Sequence, residues 1–156
     1  MEAETVSTAD LTRLEDKMKI FYEAKAHASG GRAGQVKSDD EALALQLSVP
    51  KSMGGQGGEG TNPEQLFAAG YAACFDSALN HVASLRKVTL QETAVDATVG
   101  IGQKDANSFG LAVTLSVKIV GVPREQAEEL LHAADAACPY SNAIRGNVGV
   151  KLVLQD

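Results

Sequence analysis

Two cysteines, Cys74 and Cys138, carry the most chemistry open to this chain of 156 residues. A deprotonated thiol is a nucleophile and a metal ligand. Two thiols can also divide a redox cycle, one oxidised by a peroxide and the other closing a disulfide on it. The ordinary fate of an unpaired cysteine is different: it is buried as a small apolar side chain. Counting leaves both readings open for each residue. Cys74 falls in mid-helix, in the run Ala68-Ala69-Gly70-Tyr71-Ala72-Ala73-Cys74-Phe75. It therefore lacks the helix N-terminus that often lowers a thiol pKa, and a cation has to come from elsewhere in the fold. Cys138 sits at a helix end beside Pro139, where local movement is easier.

Other chemistries find less support. His81 shares a helix face with Cys74 but lies about 10 Å along the axis, too far for a hydrogen-bonded dyad. His27 and His132 stand alone. Neither Cys-x-x-Cys nor His-x-x-x-His occurs, so no zinc site is expected. Gly30-Gly31-Arg32-Ala33-Gly34 lacks both the Gly-x-Gly-x-x-Gly pattern and the Gly-Lys-Ser/Thr ending of phosphate loops. It reads as a turn that presents Arg32. A formal charge of −6 argues against a nucleic-acid partner. No apolar run of about 18 residues exists, so no membrane span is expected. Met1 to Lys17 is acidic and has no apolar h-region, which argues against a signal or transit peptide. A cytoplasmic protein follows as the expectation. In that reducing compartment a permanent structural bridge between the cysteines is not expected.

The elements that must position these residues follow from periodicity. Residues 1–17 form a polar N-terminal extension, with a short helix conceivable over Ser7–Lys17. Residues 18–156 are expected to form a single domain. Met18 to His27 alternates as a half-buried strand does. A turn at Gly30–Gly34, a return strand over Gln35–Ser38, a second turn at Asp39-Asp40-Glu41 and a third strand through Leu43, Leu45, Leu47 and Val49 complete an antiparallel meander. Pro50 to Gly60 is a glycine-rich loop, either mobile or tightly folded. A long helix runs from Asn62 to about Arg86, apolar nearly all round and so expected to be buried on several sides. Its start has two readings: a Thr61–Glu64 capping box, or Asn62 as N-cap with Pro63 at the first helical position.

Val95–Gln103 and Leu111–Val120 alternate again, joined by a hairpin loop at Lys104–Ser108. A second helix spans Arg124–Ala137, with Pro139 blocking its continuation past Cys138. Val148, Val150, Val153 and Leu154 mark a final strand. The order βββ–α–ββ–α–β segregates strands from helices and gives the α+β class.

Two long motifs then carry a resemblance. The stretch Gly57-Gly58-Glu59-Gly60-Thr61-Asn62-Pro63-Glu64-Gln65-Leu66-Phe67-Ala68-Ala69-Gly70-Tyr71-Ala72-Ala73-Cys74-Phe75 resembles the first cysteine motif of the organic hydroperoxide resistance (Ohr) proteins, a branch of the OsmC family. Cys138-Pro139-Tyr140-Ser141-Asn142-Ala143-Ile144-Arg145-Gly146-Asn147-Val148 is similar to their second, and Gly30-Gly31-Arg32 to their glycine-flanked arginine. The likeness spans about residues 18–154. It implies an OsmC-like α+β fold, with antiparallel sheets packed around long central helices in an intertwined homodimer. It also implies a thiol peroxidase without metal, haem, flavin or other cofactor. In that scheme Cys74 is the peroxidatic cysteine and Cys138 the resolving one, with Arg32 and Glu64 as polar partners of Cys74. The implied substrates are organic hydroperoxides, including fatty-acid hydroperoxides. The implied reductant is a dithiol such as a dihydrolipoyl group.

Helix arithmetic adds to the resemblance. Glu64 and Cys74 are separated by about 15 Å of helix rise, so Glu64 is not expected to serve its own Cys74. An antiparallel copy of the helix from a second subunit would bring it there. Leu66, Phe67, Tyr71, Phe75 and Met53 are candidates for an apolar substrate mouth. The competing reading is a non-catalytic lipid or small-molecule binding protein whose cysteines are structural.

Overall fold

The structure is a computed structural model that describes residues 18–156. The N-terminal extension, with the helix expected over Ser7–Lys17, lies outside the described residues. The chain divides into two compact units, one ending at Leu47 and the other spanning Ser48–Asp156.

The first unit is an antiparallel meander, as the alternation predicts. Strands β1 (Ala26–Ser29), β2 (Gln35–Ser38) and β3 (Ala44–Gln46) pair in that order. The first strand is much shorter than the expected Met18–His27. Alternation makes a strand only where a neighbour supplies backbone partners, and β2 offers four residues, pairing Ala26 with Ser38 through Ser29 with Gln35. The third strand is likewise cut back from Leu43–Val49 by the length of β2. The turn between β1 and β2 is a 3-10 segment, Gly31–Ala33, with Arg32 at its centre. It demands glycine at Gly34, where a Cβ would lie 1.8 Å from the Ser29 carbonyl oxygen.

The second unit opens with the glycine-rich loop, which folds back on itself. Gly55 N–H donates to the Pro50 carbonyl and Gly57 N–H to the Val49 carbonyl, at 3.1 and 3.0 Å. Helix α1 follows over Pro63–Leu85. Of the two predicted starts, the Asn62 cap forms: Asn62 Oδ1 accepts from Gln65 N–H at 2.8 Å, with Pro63 in the first turn. The Thr61 hydroxyl donates instead to Gln65 Oε1 at 2.7 Å. The helix buries one face, Tyr71, Phe75, Ala78, Leu79, Val82 and Ala83. Its opposite stripe of Ala69, Ala73 and Ser77 is exposed, so burial is one-sided where several-sided burial was expected.

Strands β4 (Glu92–Gln103) and β5 (Phe109–Val120) form a twelve-residue antiparallel ladder. Asp105 organises the hairpin between them by accepting from Asn107 N–H and the Ser108 hydroxyl. Helix α2 (Arg124–Ala137) leads into a short helix, α3 (Pro139–Ile144), that the periodicity did not predict. Pro139 ends one helix and starts the next, since its fixed φ suits a first helical position. The α2–α3 crossover returns the chain so that β6 (Val150–Leu154) joins β5 in parallel, making this sheet mixed. The core lies between the sheet and the helices. Phe75, Leu79, Leu115, Val117, Leu130 and Ala134 are wholly buried there. Among the described residues no helix is long and apolar enough to cross a membrane.

Candidate functional site

Cys74 and Cys138 are 64 positions apart in sequence and meet in space. The Cys138 thiol is directed at the Cys74 sulfur across 3.6 Å. A disulfide bond measures about 2.05 Å, so the two thiols are in contact and unbonded. Their surroundings differ. Cys138 is fully buried at the elbow between α2 and α3, where its N–H donates to the Ala134 carbonyl at 2.8 Å. Cys74 faces the same interior from α1 but keeps partial exposure. The pair thus has one member open to a small reagent and one sheltered behind it.

Burial pushes the Cys74 thiol above its ordinary pKa. The Tyr140 backbone N–H acts the other way, and the neighbouring Cys138 thiol reinforces the rise. With these neighbours alone Cys74 is a protonated thiol at neutral pH, and a cation is needed to hold it as thiolate.

One turn from the sulfurs a second contact joins the same two helices. Tyr71, wholly buried on α1, shares a 2.7 Å hydrogen bond with the Ser141 hydroxyl on α3. Burial raises the Tyr71 pKa, partly opposed by the Ser141 bond, and so keeps the phenol protonated. Tyr71 precedes Cys74 by three positions and Ser141 follows Cys138 by three, spacings that put each pair on one helix face. Around them Phe67, Tyr71 and Tyr140 form an aromatic cluster with ring centroids 5.8 to 6.2 Å apart. Gly70 makes room for it, since a Cβ there would stand 2.8 Å from the Tyr140 hydroxyl. The far end of α3 is clipped to α2. Arg145 donates to the Asp135 carboxylate and the Asp135 carbonyl, each at 3.0 Å, and Asn142 donates to the Ala136 carbonyl at 3.1 Å.

Glu64 stands apart from the two sulfurs along α1. Glu64, in the first turn of α1, lines a cleft of about 560 Å³ with Met53, Gln65, Ala68 and Val99. Neither cysteine borders that cleft. Arg32 belongs to the first compact unit. One chain therefore brings Cys74 and Cys138 together, while its Glu64 stands in the first turn of α1, ten residues before Cys74.

Two of the expected apolar mouth residues are core: Tyr71 and Phe75 are fully buried. Phe67 does border a larger cleft, about 710 Å³, with Ile101, Leu111, Ile144 and Val148. Sequence reasoning did not single out Tyr71–Ser141 or Arg145–Asp135. The signal that pointed there was Pro139 directly after Cys138, which announces a helix start as readily as a helix stop. Among the described residues no cluster of three or more His, Cys, Asp or Glu side chains is placed to hold a metal ion.

Residues 55–153 match the family model described as OsmC-like protein. The organic hydroperoxide resistance protein of Xanthomonas axonopodis pv. citri is 49% identical over 137 residues, covering 87% of this chain and 96% of that relative. The organic hydroperoxide resistance protein OhrB of Bacillus subtilis is 45% identical over 136 residues, with 86% and 98% covered. Among solved structures, an organic hydroperoxide resistance protein of Vibrio cholerae, with captopril bound in one of its active sites, superposes with a TM-score of 0.84 at 50% identity. That likeness covers 88% of this chain and 94% of the other.

Proposed function

The chain belongs to the OsmC family, in its organic hydroperoxide resistance branch, and from that membership we propose that it is a cysteine-based peroxidase reducing organic hydroperoxides in the response to oxidative stress. The observation that carries the reading is the 3.6 Å contact between a partly exposed and a fully buried thiol.

The proposed cycle begins with the Cys74 thiolate attacking one peroxide oxygen. An S–O bond forms, the O–O bond breaks, and the departing alkoxide takes a proton to become the alcohol. Cys74 is left as a sulfenic acid. The Cys138 thiolate then attacks the Cys74 sulfur, the S–S bond forms, and hydroxide leaves to be protonated to water. A dithiol, in this reading a dihydrolipoyl group, reduces the disulfide by exchange. Thiolate character is the first requirement, and burial opposes it at Cys74. Arg32 is assigned the opposing role: a permanent cation that hydrogen-bonds the sulfur and the departing oxygen. Glu64 is assigned the orientation of that guanidinium through a bidentate contact.

The helix rise between Glu64 and Cys74 supports a homodimer in which each site takes Glu64 from the other chain. Exposed apolar side chains support the same assembly: Phe21 and Tyr22 are 88% and 77% exposed, and Ala69 and Ala73 leave one stripe of α1 uncovered. The reading puts the protein in the cytoplasm, where reduced dithiols are available. Dihydrolipoamide-dependent reduction of tert-butyl hydroperoxide tests it. Wild type is expected to turn over and Cys74→Ser to be inactive; full activity in Cys74→Ser removes the assignment.

A further inference from the structure

We propose that Tyr71 and Ser141 are positioning residues for closure of the Cys74–Cys138 disulfide, an inference that rests on the peroxidase reading above. The two helices α1 and α3 touch through two rungs. One is the 3.6 Å sulfur contact and the other the 2.7 Å bond between the Tyr71 and Ser141 hydroxyls. Residue numbers rise along α1 from 71 to 74 and fall along α3 from 141 to 138. The rungs therefore tie two antiparallel segments at points one turn apart. A segment held at two points cannot pivot about either one.

The second rung is well placed to fix the first. Tyr71 is fully buried and Ser141 is 3% exposed, so water does not compete for either hydroxyl. Each hydroxyl is the other's partner, and separating them strands two buried polar groups. Ser141 is the only polar residue among the buried set of the described chain. The elbow that carries Cys138 is braced at its other end by Arg145 on Asp135 and by Asn142 on the Ala136 carbonyl. That brace and the Tyr71 bond both hold α3, the segment that starts at Cys138.

The chemistry needs such restraint at one step only. In the resolving step the Cys138 sulfur attacks the Cys74 sulfur, the new S–S bond replaces the S–O bond, and the oxygen leaves as water after protonation. The sulfurs must close from contact distance to about 2.05 Å on an in-line path. Attack of Cys74 on the peroxide uses neither hydroxyl. The pair therefore acts on the second step and leaves the first alone, a division that a general packing role does not produce.

The test is rapid quench of the reduced protein after one equivalent of cumene hydroperoxide. Dimedone traps the sulfenic acid, and intact mass spectrometry follows the disulfide. The variants are Tyr71→Phe, Ser141→Ala and the double variant. The double replaces both partners by apolar groups and so avoids stranding a buried hydroxyl. The expected result is a wild-type rate of Cys74 oxidation in all three. Disulfide formation is slowed about five- to tenfold, the factor one buried hydrogen bond carries. The double variant is slowed about as much as either single. Sulfinic acid on Cys74 rises in step. Disulfide formation at the wild-type rate in the double variant overturns the proposal, as does a parallel fall in both steps. A wild-type protein that forms no disulfide overturns the peroxidase reading and this inference with it.

Discussion

Glu64 and Cys74 stand on one unbroken helix, Pro63–Leu85, and ten residues of rise hold them about 15 Å apart. A straight helix cannot bend that separation away. In the proposed dimer the glutamate that serves Cys74 comes from the second chain, and a mixed dimer tests this.

Cys74→Ser and Glu64→Ala homodimers, each impaired on its own, are expected to recover activity when co-expressed. In the mixed dimer the intact Cys74 of one chain meets the intact Glu64 of the other, so one of two sites is complete. Random pairing predicts about a quarter of wild-type turnover in dihydrolipoamide-coupled assays. No gain over the separate variants would assign Glu64 to its own chain.

Cys138→Ser separates the two halves of the cycle. Cys74 is still expected to be oxidised once, because it is the partly exposed thiol of the pair. Recycling by dihydrolipoamide then fails, and repeated peroxide pulses drive Cys74 to sulfinic and sulfonic acids. Peptide mass spectrometry after each pulse is the check; sustained turnover without Cys138 contradicts the resolving role.

The raised Cys74 pKa gives a stability prediction with a definite sign. A thiol whose folded pKa lies above its unfolded value binds its proton more tightly in the native state. Its contribution is complete below the unfolded value and is lost as pH rises through the higher folded one. With Arg32 replaced by glutamine, so that burial acts unopposed, the reduced chain is therefore expected to lose urea resistance above the ordinary thiol value of 9.0, and the Arg32→Gln, Cys74→Ala double variant to lose less over the same range. Kinetics report the cation assigned to Arg32. The pH inflection of Cys74 alkylation by iodoacetamide is expected to move upward in Arg32→Gln, and an unmoved inflection removes Arg32 from the site.

Gly70 permits a double-mutant cycle on packing. Alanine in place of glycine in a helix interior gains about 1 kcal/mol, but here the new Cβ meets the Tyr140 hydroxyl at 2.8 Å. Gly70→Ala is expected to stabilise a Tyr140→Ala background by about that amount and the wild-type background by clearly less. Equal effects in urea titrations would show that Tyr140 does not lean on Gly70.

Much of this arrangement is legible in the sequence, for reasons that differ by element. The start of α1 is readable because Asn62 and Pro63 each satisfy a local rule of helix entry, and both operate. Strands β4 and β5 are readable because their alternation persists for twelve paired residues. The strand expected over Met18–His27 fails because a period of two says nothing about partners, and β2 supplies partners for four residues only. Helix α3 escapes notice because six residues carry no periodicity and Pro139 reads equally as an end or a beginning. The parallel direction of β6 depends on the path of α2 and α3, which no local pattern encodes. The site divides the same way. The motifs name the cysteines, but their 3.6 Å contact and the Tyr71–Ser141 bond are products of tertiary packing.

The most direct measurement is a single turnover. The reduced protein is mixed with one equivalent of an alkyl hydroperoxide, quenched with an alkylating agent, and digested for peptide mass spectrometry. The expectation is one alcohol released per chain and one disulfide, joining Cys74 to Cys138, with both absent in Cys74→Ser. Peroxide consumed at the same rate by Cys74→Ser, or consumed by wild type with both thiols still alkylatable, would contradict it.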